Sequence, residues 1–211
     1  MKIHRRPNAV IIDYGMGNLQ SVKNAMEEIG SCKVIISGKA KNIKKADFLI
    51  LPGVGAFEDA MNKLNSKGLS QTIIEETKFN NKPLLGICLG MQLLFDNSEE
   101  NGTHKGLGLI KGNVKKFNIK KSFRIPHVGW NNIIFNKNSK LFKNIDVDKN
   151  FYFAHSYQVL TNKKYIIAKS NYDKNFTAAV SKKHIVGVQF HPERSQYNGL
   201  TFLKNYLKNF V

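Results

Sequence analysis

The chain has 211 residues, of which 42% are hydrophobic and 23% are charged, a composition that suits a folded protein with a substantial core. No apolar stretch reaches 18 residues, and the apolar run behind the basic start is broken at Asp13, so we expect neither a membrane span nor a signal peptide. Two cysteines are too few for a disulfide framework and lack the histidine spacing of a zinc site. We therefore expect a soluble cytoplasmic protein without a metal ion.

The formal net charge of +18 raises the question of nucleic-acid binding. The 33 basic residues are 29 lysines and 4 arginines, and they are spread along the whole chain rather than gathered in one stretch. We therefore favour a solvated surface or an acidic protein partner over a nucleic-acid site.

The first half of the chain predicts strands that alternate with helices. Short apolar runs bounded by turn residues indicate strands, and apolar residues at helical spacing lie between them. In chain order these are a strand at 9–15, a helix at 18–29, strands at 32–37 and 46–53, a helix from about 57, a helix at 69–79, a strand at 83–88 and a helix from about 90. This alternation is typical of a parallel sheet with helices on both faces.

After about residue 105 the pattern changes to short strands separated by Gly, Asn or Lys. Examples are "RIPHVGWNNIIF", "FYFAHSYQVL", "FTAAVS" and "HIVGVQF", and a last amphipathic helix is predicted over 199–210. We interpret these strands as antiparallel additions to the first sheet. The sequence thus predicts one domain, residues 1–211, with a three-layer α/β/α architecture and an open, mostly parallel central sheet.

The stretch "GICLG" holds Cys88 between two glycines, where a strand pattern gives way to a helix pattern. A sharp strand-to-helix turn with small neighbours pushes a nucleophile out of the packing, and a helix N-terminus favours the thiolate. Buried cysteines are also common in ordinary cores. This stretch alone leaves both interpretations open.

The stretch "GVQFHPER" supplies the groups that an activated cysteine needs. A thiol with an ordinary pKa requires a neighbouring base, and His191 can provide it. Glu193 can hold the imidazole tautomer, and an extended H-P-E segment would point both side chains the same way. Alone, this segment would be read as a surface turn, but together with Cys88 it predicts a catalytic triad.

The glycine-rich stretch "PGVGAF", which begins with Pro52 and Gly53, allows the backbone to approach a substrate closely. The backbone N–H groups of Val54 and Leu89 could form an oxyanion hole. Without the other two motifs, this stretch would be read as an ordinary strand-to-helix turn.

These three motifs, which follow one another in the chain as "PGVGAF", "GICLG" and "GVQFHPER", resemble those of the class I glutamine amidotransferases. Further blocks resemble the glutaminase subunits of imidazole glycerol phosphate synthase and span nearly the whole chain: "IIDYGMGNLQSV", "LPGVGAFEDAM", "LGICLGMQLLFDNSEE", "GLGLIKGNV", "IPHVGWN", "FYFAHSY" and "GVQFHPERS". The resemblance implies the class I glutaminase (flavodoxin-like) fold and hydrolysis of L-glutamine through a thioester on Cys88. It implies no cofactor.

The resemblance also assigns residues to binding. Six match positions that line the pocket for glutamine: Gly53, Gln92, Glu100, His155, Ser156 and Tyr157. Such glutaminases pass ammonia to a partner cyclase, a (β/α)₈ barrel, and seven residues match positions near that docking face: Asn18, Pro126, His127, Gly129, Trp130, Asn131 and Arg194. Trp130 could be an interface anchor or a core residue, and the sequence leaves this open.

Two alternatives to this function remain. Duplicated copies of such glutaminases serve amidotransferases that act on cell-surface sugars, and the triad does not identify the acceptor. A non-catalytic binding relative is the other alternative, although such relatives usually lose a triad member and all three are present here.

Overall fold

The computed structural model describes residues 5–136, 138–145 and 150–210. The first half alternates strands and helices, as the apolar periodicity predicts. Its elements are β1 (Asn8–Ile12), α1 (Leu19–Ile29), β2 (Lys33–Ser37), α2 (Ala40–Lys45), β3 (Phe48–Gly53), α3 (Phe57–Ser66), α4 (Leu69–Lys78), β4 (Leu84–Cys88) and α5 (Leu89–Leu93).

The second half consists mainly of short strands and ends in one long helix. Its elements are β5 (Asn97–Ser98), β6 (His104–Lys105), β7 (Gly112–Lys116), β8 (His127–Phe135), β9 (Asn150–His155), β10 (Tyr157–Thr161), β11 (Ile166–Tyr172), β12 (Lys174–Lys182), β13 (Ile185–Val188) and α6 (Gln196–Phe210).

A nine-stranded mixed sheet forms the centre, in the order β2-β1-β3-β4-β13-β12-β11-β8-β9. The strands are parallel from β2 to β13 and antiparallel from β13 to β9. The prediction of an open parallel sheet extended by antiparallel strands is therefore confirmed.

Helices cover both faces of this sheet and create two apolar cores. In β1, Ala9 and Ile11 face one core while Val10 and Ile12 face the other, as the two-residue period of a strand requires. Helices α1 and α6 pack on the first face, and α2 to α5 pack on the second. Strands buried on both faces explain the continuous apolar runs in the sequence.

The strand β13 differs from the prediction, because it pairs parallel to β4 and not antiparallel. All four of its residues are buried, which is typical of a central parallel strand, but a run of four apolar residues carries no signal for strand direction. This pairing brings the segment after β13 next to the end of β4.

A second sheet is the other departure in the strands. Strands β10, β7, β5 and β6 form a separate four-stranded sheet, whereas we predicted all the late strands in the first sheet. Val114 and Val159 of this sheet pack into the same core as α3 and α5, so the small sheet covers that side of the molecule.

Two helices also differ from the prediction. Helix α2 was not predicted, since its six residues carry one buried side chain, Ile43. Helix α6 begins at Gln196, ahead of Gly199. Helix α5 begins at Leu89, close to its predicted start, and ends at Leu93, where the N–H groups of Leu107 and Leu109 bond the carbonyls of Leu93 and Leu94. None of the described helices is long and apolar enough to cross a membrane.

Candidate active site

The three motif segments meet at the carboxyl edge of the central sheet. Gly53, the last residue of β3, lies opposite Cys88, the last residue of β4, and Val188 of β13 lies opposite Ile87. The "HPE" segment follows β13 directly, so its side chains reach the same edge. Ligands of open α/β sheets bind at such an edge.

Cys88 lies on a tight turn between β4 and α5. Its backbone has φ 54° and ψ −112°, a conformation that residues with a side chain rarely adopt, and its side chain is buried. The two flanking positions, Gly86 and Gly90, have no room for a side chain. A Cβ at Gly90 would overlap the carbonyl of Leu51, and one at Gly86 would come within 2.7 Å of the carbonyl oxygen of Gly90.

His191 and Glu193 form a buried pair beside Cys88. The imidazole Nδ1 lies 2.8 Å from Glu193 Oε1 and donates to it, which leaves Nε2 for the sulfur. The geometry differs from the expected extended segment, because Pro192–Arg194 form a 3₁₀ turn that brings Glu193 back under the imidazole. Proline at the first position of this turn favours it. Glu193 Oε2 has no hydrogen-bond partner among the described residues.

The electrostatics favour an imidazolium at His191. Burial opposes its charge, but hydrogen bonding to Cys88 and the negative charge there, followed by the same two effects from Glu193, outweigh burial and raise the pKa of His191 to about 10. The pKa of Tyr14 is also raised, chiefly by burial and additionally by the charge at Cys88.

A cavity of about 290 Å³ opens beside the Cys88 sulfur. Most of the residues that the sequence assigned to chemistry or to glutamine line it, including Val54, Cys88, Leu89, Gln92, Glu100, His155, Ser156, Tyr157 and His191. Gly53 is assigned to the pocket but does not line it, since it is buried and a Cβ there would overlap the Tyr14 hydroxyl.

Gln92 and Glu100 reach the cavity from two different elements. Gln92 Nε2 donates to the Tyr157 carbonyl at 3.2 Å and to Gln189 Oε1 at 3.0 Å. Glu100 Oε2 accepts from the N–H of Phe57 at the start of α3, at 2.8 Å. The carboxylate of Glu100 is thereby held at the wall of the cavity.

Gln189 is a site residue that sequence reasoning missed. It is fully buried, and its Nε2 lies 3.7 Å from Cys88 Sγ. The available signal was its spacing, because it stands two residues before His191, directly after a buried strand.

His155 and His127 form a buried dyad behind the cavity. His155 Nδ1 bonds the Tyr157 carbonyl at 2.8 Å, and its Nε2 lies 3.1 Å from His127 Nδ1. Burial lowers the pKa of His127 to about 4 and that of His155 to about 3. His127 is expected near a docking face, and its side chain is buried there, 3% exposed and stacked on Tyr172.

The other residues assigned to a docking face lie mostly at the surface. Trp130 is 47% exposed, which excludes the core alternative, and its ring edge meets Tyr152. The Arg194 guanidinium lies 4.5 Å from the centre of the same Tyr152 ring. Pro126 and Arg194 line the cavity, so these aromatic contacts lie beside its mouth.

Asn18, Gly129 and Asn131 complete this set. Asn18 is exposed and caps α1 through a bond from the Ser21 N–H, and Gly129 has φ 135° with open space around its Cα. Asn131 is partly buried and donates to the Asn171 carbonyl at 2.8 Å. Within the described part of the chain, no group of three or more His, Cys, Asp or Glu side chains could hold a metal ion.

Comparison with known proteins gives consistent relatives over the whole length. The family model described as glutamine amidotransferase class-I matches residues 10–210. "Imidazole glycerol phosphate synthase subunit HisH 2" of Vibrio vulnificus is 50% identical over 94% of this chain and 92% of that protein. "Imidazole glycerol phosphate synthase subunit HisH" of Sulfurimonas denitrificans is 48% identical over 94% and 96%.

Solved structures support the same fold at much lower identity. PurLQS from Thermotoga maritima superposes with a TM-score of 0.74 at 19% identity, covering 98% of this chain and 100% of that one. A glutamine amidotransferase from the same organism gives 0.62 at 16% identity, covering 97% and 85%. With the family match over nearly all of its length, the chain belongs to the class-I glutamine amidotransferases.

Proposed function

We propose that this chain is the glutaminase subunit of an imidazole glycerol phosphate synthase and hydrolyses L-glutamine to glutamate and ammonia for histidine biosynthesis. One observation carries the chemistry: Cys88 stands on a tight turn at a cavity, beside a histidine that Glu193 holds at 2.8 Å. The names of relatives that are up to 50% identical carry the pathway.

The first half of the reaction forms a thioester. The Cys88 thiolate adds to the side-chain amide carbon of glutamine, forming the C–S bond, and the carbonyl electrons move to oxygen. The His191 imidazolium then gives its proton to the amide nitrogen, the C–N bond breaks and ammonia leaves. The raised pKa of His191 makes this proton available at neutral pH.

The second half regenerates the enzyme. Neutral His191 takes a proton from water as the water oxygen adds to the thioester carbon. The C–S bond then breaks, the sulfur departs as thiolate, and glutamate is released. One glutamine and one water thus give one glutamate and one ammonia, with Cys88 and His191 in their starting states.

Both halves develop negative charge on the former amide oxygen. Val54 and Leu89 line the cavity on either side of Cys88, and their backbone N–H groups are the donors that we assign to this oxyanion. Losing one such donor typically lowers the rate by ~10²–10³.

The remaining cavity wall suits the amino-acid end of glutamine. The Glu100 carboxylate is a partner for the α-ammonium group. In both of its described side-chain hydrogen bonds, Gln92 donates through Nε2. Its Oε1 is therefore available to accept a hydrogen bond from the substrate. The backbone of His155, Ser156 and Tyr157 completes the pocket.

The partner that we infer is a cyclase subunit of (β/α)₈ type, which receives the ammonia and forms imidazole glycerol phosphate and an aminoimidazole carboxamide ribotide. Pro126 and Arg194 line the cavity, and the exposed Trp130 contacts Tyr152, whose ring lies against Arg194, so these residues suit a docking face beside the cavity. The same chemistry with another acceptor is a second candidate, such as an amidotransferase of cell-surface sugars. One observation supports this second candidate. The named relatives from Vibrio vulnificus and Campylobacter jejuni carry copy numbers, which is consistent with duplicated copies of the subunit.

The test is glutamate release by the purified chain, alone and with the cyclase subunit of the same organism plus its ribotide substrate. We expect strong stimulation by the cyclase, and loss of activity in Cys88→Ala but not in the matched control Cys32→Ala. Absence of glutamate in both conditions would overturn the glutaminase proposal. Labelling of Cys88 by a glutamine-like affinity reagent without stimulation would favour the second candidate.

A further inference from the structure

The Cys88 sulfur has a neighbour that neither the triad nor the oxyanion hole uses. Gln189 follows β13, its side chain is fully buried, and its Nε2 lies 3.7 Å from Cys88 Sγ. On the other side, the Ala154 carbonyl oxygen also lies 3.7 Å from the sulfur. In addition to His191, the sulfur therefore has one further hydrogen-bond donor and one acceptor beside it.

The orientation of the Gln189 carboxamide follows from a backbone carbonyl. The Tyr157 oxygen can only accept, so the Gln92 atom 3.2 Å away must be the NH₂ group. The same NH₂ group lies 3.0 Å from Gln189, which must present its oxygen there. Gln189 consequently turns its own NH₂ group toward the sulfur.

A fixed donor distinguishes the two forms of Cys88. The thiol can donate its proton to the Ala154 carbonyl, whereas the thiolate cannot use that carbonyl and instead accepts an N–H. A hydrogen bond to a charged group is stronger than one between neutral groups. The Gln189 donor therefore favours the thiolate over the thiol.

We propose that Gln189 is a further catalytic residue, whose carboxamide N–H stabilises the Cys88 thiolate, and that Gln92 acts as a positioning residue by locking that carboxamide in its orientation. The proposal rests on the proposed function, in which the sulfur is negatively charged twice. It is a thiolate before it attacks the amide carbon, and it becomes one again when the thioester breaks. Because the thioester sulfur itself is neutral, Gln189 assists both steps that begin or end with charge on sulfur.

The experiment measures alkylation of Cys88 by iodoacetamide in the full chain, at a fixed neutral pH and without glutamine. In this reaction the thiolate forms a C–S bond and iodide leaves, so the rate follows the thiolate. Both cysteines are buried, and peptide mass spectrometry distinguishes alkylation of Cys88 from that of Cys32. Gln189→Met keeps the length of the side chain and removes the donor, and we expect about 10-fold slower alkylation.

The matched control is Asn205→Leu. Asn205 is another buried carboxamide, with Nδ2 bonds to the carbonyls of Leu141 and Lys143 at 3.1 and 2.7 Å, and it lies on α6 away from the sulfur. Its substitution should lower the thermal midpoint while leaving Cys88 alkylation unchanged. A folded Gln189→Met variant in which Cys88 is alkylated at the wild-type rate would overturn the proposal.

Gln92→Met tests whether Gln92 fixes the orientation of the Gln189 carboxamide. It is also the variant to use if Gln189→Met does not fold. Gln189 could then turn its oxygen toward the sulfur part of the time, so Cys88 alkylation should slow by a smaller factor, although Gln92 makes no described contact with the sulfur. Unchanged alkylation in this variant would overturn the positioning role of Gln92. In glutamine turnover, Gln189→Met should lower kcat with little change in KM, whereas Gln92→Met should also raise KM.

Alkylation separates this inference from the proposed function. It requires neither glutamine nor a partner, so Gln189→Met can show slower alkylation even if the wild-type chain fails to hydrolyse glutamine both alone and with the cyclase subunit. That result would refute the glutaminase and support the role of Gln189. Normal glutamine hydrolysis in Gln189→Met, together with Cys88 alkylation at the wild-type rate, would support the glutaminase and refute the role of Gln189.

Discussion

The charge on His191 depends on which neighbours the surrounding backbone brings to it. Burial of the imidazole disfavours its cation, and the interactions with Cys88 and then Glu193 reverse that preference. Glu193 bonds only Nδ1, so the proton on Nε2 is the one that faces the sulfur and is available for transfer. A single hydrogen bond therefore sets both the tautomer and the direction of proton transfer.

His127 and His155 show the opposite behaviour, and their burial predicts a pH dependence of stability. Both are kept neutral in the folded protein, with pKa values lowered to about 4 and about 3, mainly by burial. In the unfolded chain each binds a proton near pH 6.5. Between pH 6.5 and these lowered values the unfolded state holds more protons, so stability falls as the pH is lowered. Above pH 6.5 this destabilising effect is absent.

Between pH 7.5 and pH 5 we expect each of these two histidines to lower the free energy of unfolding in urea by about 2 kcal/mol. His191 acts in the opposite direction, because its raised pKa stabilises the folded state more as the pH falls toward 6.5. His127→Phe keeps the stacking on Phe153 and Tyr172 but cannot titrate, so its drop should be smaller by about 2 kcal/mol. Its stability at pH 7.5 should also fall, because the contact with His155 is lost. The control is His104→Gln at the partly exposed His104, and an unchanged drop in His127→Phe would contradict this account.

At the scale of elements, the site depends on how closely α5 packs against the sheet. The helix begins directly after Cys88, and Gly90 in its first turn touches the backbone of β3 at Leu51. The contact leaves no room for a side chain, and it holds the turn that carries Cys88 and the N–H of Leu89. The position of the nucleophile is thus set by a glycine two residues away.

Gly90→Ala tests this packing. The added Cβ would overlap the Leu51 carbonyl, so α5 must shift, and we expect a loss of stability on the order of 1–3 kcal/mol from overpacking together with a large loss of glutaminase activity. Gly68→Ala is the matched control. Gly68 has φ 66° but nothing near its Cα, so alanine there should cost about 1 kcal/mol of backbone strain and leave activity intact. Equal effects of the two substitutions on activity would contradict the packing argument.

The sequence predicted the alternating first half well because β1, β3 and β4 are apolar on both faces and bounded by turn residues. It could not predict the direction of β13, since parallel pairing is decided by a neighbour more than 90 residues away. The second sheet was missed for a similar reason, because β5 and β6 have two residues each and carry no periodicity.

The residues of the candidate site were likewise predicted only in part. Cys88, His191 and Glu193 carry a local pattern, and the structure brings them together. For Gln189 the only signal was its spacing before His191, because the role of a buried glutamine depends on the donors and acceptors that surround it. The family resemblance places His127 near a docking face, and the alternation of β8 turns its side chain inward while Val128 and Trp130 remain exposed. The assignments to substrate and partner, and the single domain over residues 1–211, stay predictions.

At the scale of the whole molecule, we propose that the face beside the cavity determines which partner receives the ammonia. Trp130 is a large exposed aromatic residue beside Tyr152, and the Arg194 guanidinium packs against the same Tyr152 ring. Aromatic residues and arginine dominate the binding energy of most protein interfaces. A partner that docks here would cover the cavity and receive ammonia without its release to solvent.

Trp130→Ala should therefore weaken binding of the cyclase subunit by about 2 kcal/mol or more and reduce its stimulation of glutamate release, measured by calorimetry and by activity. Cys88 alkylation in the isolated chain should stay at the wild-type rate, since Trp130 does not line the cavity. Phe79→Ala is the matched control, because Phe79 is 75% exposed but lies before β4, at the opposite edge of the sheet. If both variants bind the cyclase as tightly as wild type, the docking face lies elsewhere on the molecule. If only Trp130→Ala binds weakly, the partner covers the cavity mouth, which is the arrangement that direct transfer of ammonia requires.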